Sequence, residues 1–141
     1  MKRISILLSL LLFVAVSSCE KAQFSQKLLI GTWLETEAEI YMNGVDAPPS
    51  KVVLPDDDRY FVFESNGKGS RFYSKDPREE FTYDFNDVTG KLIVRFEDGQ
   101  GISYKVEELT TELLVLSSKT ILNSSGKVRS VPQHEYFTKS R

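Results

Sequence analysis

The sequence predicts an all-β domain, an eight-stranded antiparallel up-and-down β-barrel behind an N-terminal export segment. Three observations predict it. From Thr32 onward apolar and polar residues alternate with a period of two, without a sustained helical period. Tight-turn dipeptides (Asn66-Gly67, Thr89-Gly90, Asp98-Gly99 and Ser125-Gly126) punctuate that alternation. Only one connection, Asn43–Asp58, is long. A sandwich with Greek-key links needs long crossovers, whereas consecutive hairpins close into a barrel and remove the open edges that invite aggregation.

The chain opens with two cations, Lys2 and Arg3, followed by an almost wholly apolar run from Ile4 to Val16. That is the layout of a secretory signal. A membrane-spanning helix needs about 20 apolar residues, so the run is too short to serve as a stable anchor. Val16-Ser17-Ser18-Cys19 resembles the lipobox of bacterial lipoproteins, with Val where Leu is commoner. The resemblance implies removal of residues 1–18, transfer of a diacylglyceryl group to the Cys19 thiol, and usually acylation of the new amine. One acyl chain binds a membrane marginally, and two or more anchor it stably. Cys19 is the single cysteine. The exported domain therefore forms no internal disulfide, and lipidation removes a thiol that would be a liability in an oxidising compartment. The expected address is the bacterial cell envelope, lipid-anchored at the outer membrane. No strongly acidic run follows Cys19, so the periplasmic and surface faces both stay open.

Residues 19–27 read as a lipidated N-terminus and polar tether, and residues 28–141 as the barrel domain. Phe24–Ile30 suits one helical turn, with Ser25 as N-cap and Gly31 as its stop. Strands follow at Thr32–Tyr41, Tyr60–Glu64, Ser70–Tyr73, Phe81–Phe85, Leu92–Phe96, Ile102–Val106, Leu113–Leu122 and Val128–Phe137. Phe81, Tyr83 and Phe85 share one face, as do Leu92, Val94 and Phe96, and Ile102, Tyr104 and Val106. Those nine side chains are expected inside, with Thr82, Arg95 and Lys105 outside. Closure requires the last strand to pair antiparallel with the first, which brings Phe137 and Lys139 beside Trp33.

Without residues 1–18 the chain keeps 123 residues, enough for one ordinary domain. Its 16 basic side chains then face 20 acidic ones, a net charge of −4. That balance argues against nucleic acid as a partner and supplies no polybasic patch for anionic lipid heads. Attachment to the membrane is expected through the lipid on Cys19 alone.

Three further stretches resemble the lipocalin-like domains found in many lipoproteins of Bacteroides and its relatives. Leu29-Ile30-Gly31-Thr32-Trp33 matches the Gly-x-Trp motif that opens the first strand. Phe61-x-Phe63 followed by Asn66-Gly67-x-Gly69 resembles a second signature. Tyr104-x-Val106-x-x-Leu109-Thr110, then Leu113-Leu114-Val115-Leu116, resembles a third. The resemblance spans Leu28 to Phe137 and implies an eight-stranded calyx-type barrel with a general capacity for small ligands. It implies no particular ligand, because a fold does not determine a function. Lipocalins also set a late Arg against the motif Trp, and the candidates here are Lys139 and Arg141.

Gly31 and Trp33 are thus expected to be structural, with Trp33 closing one end of the barrel. The candidate ligand-binding residues are Phe63, Phe72, Phe81, Tyr83, Phe85, Phe96 and Tyr104, grouped with Phe61. Eight strands enclose a space that side chains just fill or that holds one small ligand, so both a solid core and an apolar cavity stay open. Asp56-Asp57-Asp58 matches no calcium loop and reads as a solvated turn. Gly67-Lys68-Gly69 lacks the spacing of a phosphate loop. His134, the single histidine, has no further nitrogen or sulfur ligands for zinc, and no Gly-x-Ser-x-Gly elbow is present. We therefore expect no catalytic residues, metal or cofactor. The expected partners are the membrane and a small apolar ligand, or alternatively an envelope protein or glycan docked on a solid barrel. Replacing Cys19 with Ala is predicted to abolish lipid labelling and normal cleavage. Cleavage before residue 19 with tight membrane association in that variant would contradict the lipoprotein reading.

Overall fold

The computed structural model describes residues 21–141, so residues 1–18 and Cys19 lie outside the described residues. The alternating segments form strands, and the polar turn segments connect them. A single helical turn, α1 (Gln26–Leu29), precedes β1 (Gly31–Ile40), and β2 (Ser50–Lys51) and β3 (Arg59–Phe63) follow. Then come β4 (Lys68–Tyr73), β5 (Glu79–Asn86), β6 (Lys91–Phe96), β7 (Gly101–Leu109), β8 (Leu113–Ser124) and β9 (Lys127–Lys139). Each strand after β2 pairs antiparallel with the next, and β1 pairs with both β3 and β9. Eight strands thereby close into an up-and-down barrel, as expected, with β2 outside the ring.

β2 was not expected from the sequence. Pro48 and Pro49 favour extended backbone just before it, and Lys51 reaches Glu37 at 2.9 Å across the pairing with β1. The hairpins also differ in kind. Ser125 and Gly126 both take positive φ, 53° and 77°, as a two-residue turn requires. At Asn66-Gly67 only Gly67 does so, and the Asn66 side chain instead accepts from the Lys68 N–H at 3.0 Å. The turn there spans three residues, between Glu64 and Lys68, in place of the two-residue turn that an Asn-Gly dipeptide suggests.

The expected faces hold. Phe81, Tyr83, Leu92, Val94, Tyr104 and Val106 are buried, and Phe85, Phe96 and Ile102 pack against them partly buried. Thr82, Arg95 and Lys105 are exposed. One end of the barrel is plugged by Trp33, which is fully buried. Its indole N–H donates to the Leu29 carbonyl at 2.8 Å, tying α1 down over the end. Lys139, paired with Trp33 across the closing seam, sets its ammonium 4.7 Å from the indole centroid. It also donates to the carbonyls of Leu28 and Ile30, at 3.1 and 2.6 Å. Lys139 is thus the late cation. Gly31 makes room for it: its φ is 137°, and a Cβ there would lie 2.5 Å from the Lys139 Cε.

Strand lengths do not match around the ring. β7 and β8 are in register only from Lys105↔Ser117 to Leu109↔Leu114, so Gly101–Tyr104 and Ser118–Ser124 part company. β8 stays paired with β9 out to Ser124↔Lys127, and the two continue as a ribbon past the barrel rim. Trp33→Ala is predicted to lose about 3–5 kcal/mol of stability, as for a large aromatic truncated in a packed core. Lys139→Met, which keeps the apolar stem, should lose about 1–2 kcal/mol. Urea unfolding checks both, and an unchanged midpoint in Trp33→Ala would contradict the plug.

Candidate functional site

The expected aromatic set is mostly brought together, and it fills the interior. Phe63 lies 5.6 Å from Phe81 and 5.1 Å from Tyr83, both edge-on, and Phe61 lies 5.4 Å from Phe137. Such edge-to-face contacts suit the aromatic quadrupole. Tyr83 spends its hydroxyl on the Glu64 carbonyl at 2.5 Å. Phe85 sits toward the helical end, 6.3 Å from Phe24, and Phe96 meets Phe81 edge-on at 5.7 Å under the Arg71 guanidinium. Phe72 is a correction. The pairings Phe61↔Arg71 and Phe63↔Gly69 put Arg71 and Gly69 on the inner face, so Phe72 points outward. There it stacks on Tyr60 at 5.2 Å beneath Arg78.

Above the aromatic layer lies a buried ionic group that the sequence reading missed. Arg59 donates to Glu35 Oε1 at 2.9 Å and to Glu135. Its Nε lies 2.7 Å from Glu35 Oε2 without the alignment of a hydrogen bond. Glu35 and Glu135 are both buried. Burial pushes the Glu35 carboxyl up to about 7; Arg59 opposes the shift and Glu135 adds to it. Arg59 loses solvation, but the two carboxylates more than offset this and hold it charged. Tyr104, 5% exposed, adjoins the group, and burial followed by the Glu135 charge raises its pKa. The signal was available: Glu35 shares the phase of Trp33, and Glu135 that of Phe137, so two acids fall on an inward face.

An opening lies on the barrel wall. Where β7 and β8 separate, a cleft of about 810 Å³ forms, lined by Ile102, Tyr104, Ser118 and Pro132, with Val45 from the β1–β2 connection at its edge. Lys91, Lys105, Lys119 and His134 complete its polar side. Of the expected candidates, Tyr104 alone borders it. His134 is engaged with Tyr41, ring to ring at 4.8 Å. Ser117, opposite His134, donates its hydroxyl to Glu107 at 2.6 Å and so does not point at the imidazole. Burial alone would raise the Glu107 pKa, but Ser117 and Lys105 together hold it below the ordinary value. Asp57 pairs with Lys75 at 2.9 Å, which fits a solvated turn. Among the described residues no His, Cys, Asp and Glu group is arranged to hold a metal ion.

Residues 29–116 match the family model described as a lipocalin-like domain. Comparison with curated proteins gives no match.

The raised Glu35 pKa fixes a pH dependence. Glu35 holds its proton more tightly folded than unfolded, so its contribution favours the folded state at low pH. That contribution is lost as pH rises from about 4.5 to about 7 and is level above. Urea midpoints measured from pH 5 to 8 should fall with pH in the natural protein and flatten in Glu35→Gln. An unchanged slope in the variant would assign the dependence to another group.

Proposed function

This chain belongs to the lipocalin-like domain family, and on that premise we propose that it is a non-catalytic binding module of the bacterial envelope. In this reading it is tethered to the membrane through lipid on Cys19 and takes a small, largely apolar ligand. The cleft between β7 and β8 carries the reading. Its volume of about 810 Å³ lies within the roughly 300–1,000 Å³ of small-molecule sites. Val45, Ile102, Pro132 and the Tyr104 ring supply its apolar part, and the hydroxyls of Ser103 and Ser118 stand with the lysines on its polar side. Because aromatic side chains fill the interior, the ligand is placed at the wall and not deep in the barrel. The Gln23 and Phe24 amides donate to the Asp87 carbonyl, which holds the start of the described chain at the plugged end, close to Thr89 and Lys91 on the cleft rim.

A second reading, a protein- or glycan-docking module, is favoured by Ile121 and Val128, both about 70% exposed on the β8–β9 ribbon. Native mass spectrometry of protein purified from its own host separates the two. The ligand reading predicts a retained small molecule that is lost in Ser103→Trp, an exposed position where the new ring fills the cleft without entering the core. A ligand retained equally by that variant would put the ligand site outside the cleft, and a copurifying macromolecule alone would favour docking.

A further inference from the structure

One cross-strand pair breaks the charge pattern of the sheet. Lys91 on β6 is the direct partner of Lys105 on β7, and both point outward, since their neighbours Leu92 and Tyr104 are buried. Like charges directly opposite one another destabilise a sheet. Elsewhere cations meet acids: Arg71 is paired with Glu79 at 2.6 Å, Arg95 with Asp84 at 2.6 Å, and Lys51 with Glu37. Among the described residues, Lys91↔Lys105 is the only like-charge pair in the strand register. Lys105 is compensated by Glu107 at 3.3 Å. Lys91 and Lys119, on either side of the gap, make no salt bridge among the described residues. The chain as a whole is acidic, with net charge −2, yet residues 113–134 contain no Asp or Glu. The excess of positive charge is therefore local, and it borders the cleft.

We propose that the cleft takes an amphipathic anion, whose carboxylate or sulfate head lies among Lys91, Lys105 and Lys119 and whose hydrocarbon body rests on Val45, Ile102 and Pro132. The inference rests on the reading of the cleft as a ligand site. An anionic head turns the repulsion between Lys91 and Lys105 into two attractions, and charge-assisted hydrogen bonds to ammonium groups are the stronger kind. The apolar wall explains why a bare inorganic anion is a poor fit, since it would leave that wall wet. A cationic amphiphile would meet three lysines against the single carboxylate of Glu107.

The test uses residues 21–141, which carry all eight strands of the closed ring and, among the described residues, its core. Dodecanoate and dodecanol, each below its aggregation limit, are titrated calorimetrically at pH 7.5. Dodecanoate should bind about tenfold more tightly, the factor that corresponds to one charge-assisted contact. Lys91→Gln/Lys119→Gln should remove most of that preference while leaving dodecanol unaffected. The same variant, free of ligand, should keep or raise its urea midpoint, because a repulsion has been removed. Ser103→Trp should block both probes. Equal affinity for the two probes would overturn the anionic head and leave the cleft as a ligand site. Failure of both to bind, or dodecanoate binding undiminished in Ser103→Trp, would overturn the cleft reading and the inference with it.

Discussion

The pairing of β9 with β1 sets Lys139 opposite Trp33 and fixes how large the barrel can be. A ring of eight strands encloses a space that bulky side chains nearly fill. Here Trp33, Phe61, Phe63 and Phe137 are all essentially without solvent exposure. The plug at the Trp33 end depends on that same seam. Lys139 lies over the indole and across the backbone of Gly31, and it ties down the carbonyls of Leu28 and Ile30. Remove the seam and the helical turn loses its clasp, the indole loses its cover, and the inner face of β9 meets water.

A filled interior moves function to places where the ring is imperfect. β7 stops short of its neighbour, and β8 and β9 run on as a pair, so the barrel wall opens beside Tyr104. The buried Glu35–Arg59–Glu135 group occupies another irregular stretch, next to the bulge between Glu35 and Glu37. Two buried carboxylates around one guanidinium are a costly arrangement, because desolvation of the charges can exceed their mutual attraction. The raised pKa of Glu35 expresses that cost. Tyr104 connects the two features, adjoining the ionic group inside and the cleft outside.

The strands, their faces and the closing pair were legible in the sequence because each rests on local rules: alternation for the faces, glycine turns for the hairpins, and the Gly31-x-Trp33 motif for the plug. Phe72 was not legible. Ser70-Arg71-Phe72-Tyr73 contains no clean alternation, and an Arg pointing inward over Phe96 is a tertiary arrangement that composition does not reveal. β2 was missed because two residues carry too little pattern. The cleft was missed for a different reason. It arises from unequal registers between β7 and β8, and register between strands is decided by pairing in space. The lysines on its rim are ordinary outward residues in the sequence, and only the pairing Lys91↔Lys105 gives them meaning.

The central claim is that the interior is structural and the wall cleft is the binding site. Methyl-detected NMR of the domain, titrated with dodecanoate, tests it most directly. The account predicts that the methyls of Ile102 and Val45, which border the cleft, shift progressively with ligand. Those of Leu92, Leu114 and Leu116, fully buried in the interior, should stay in place. Large shifts at Leu92, Leu114 and Leu116 with Val45 unmoved would put the ligand inside the barrel and contradict the account.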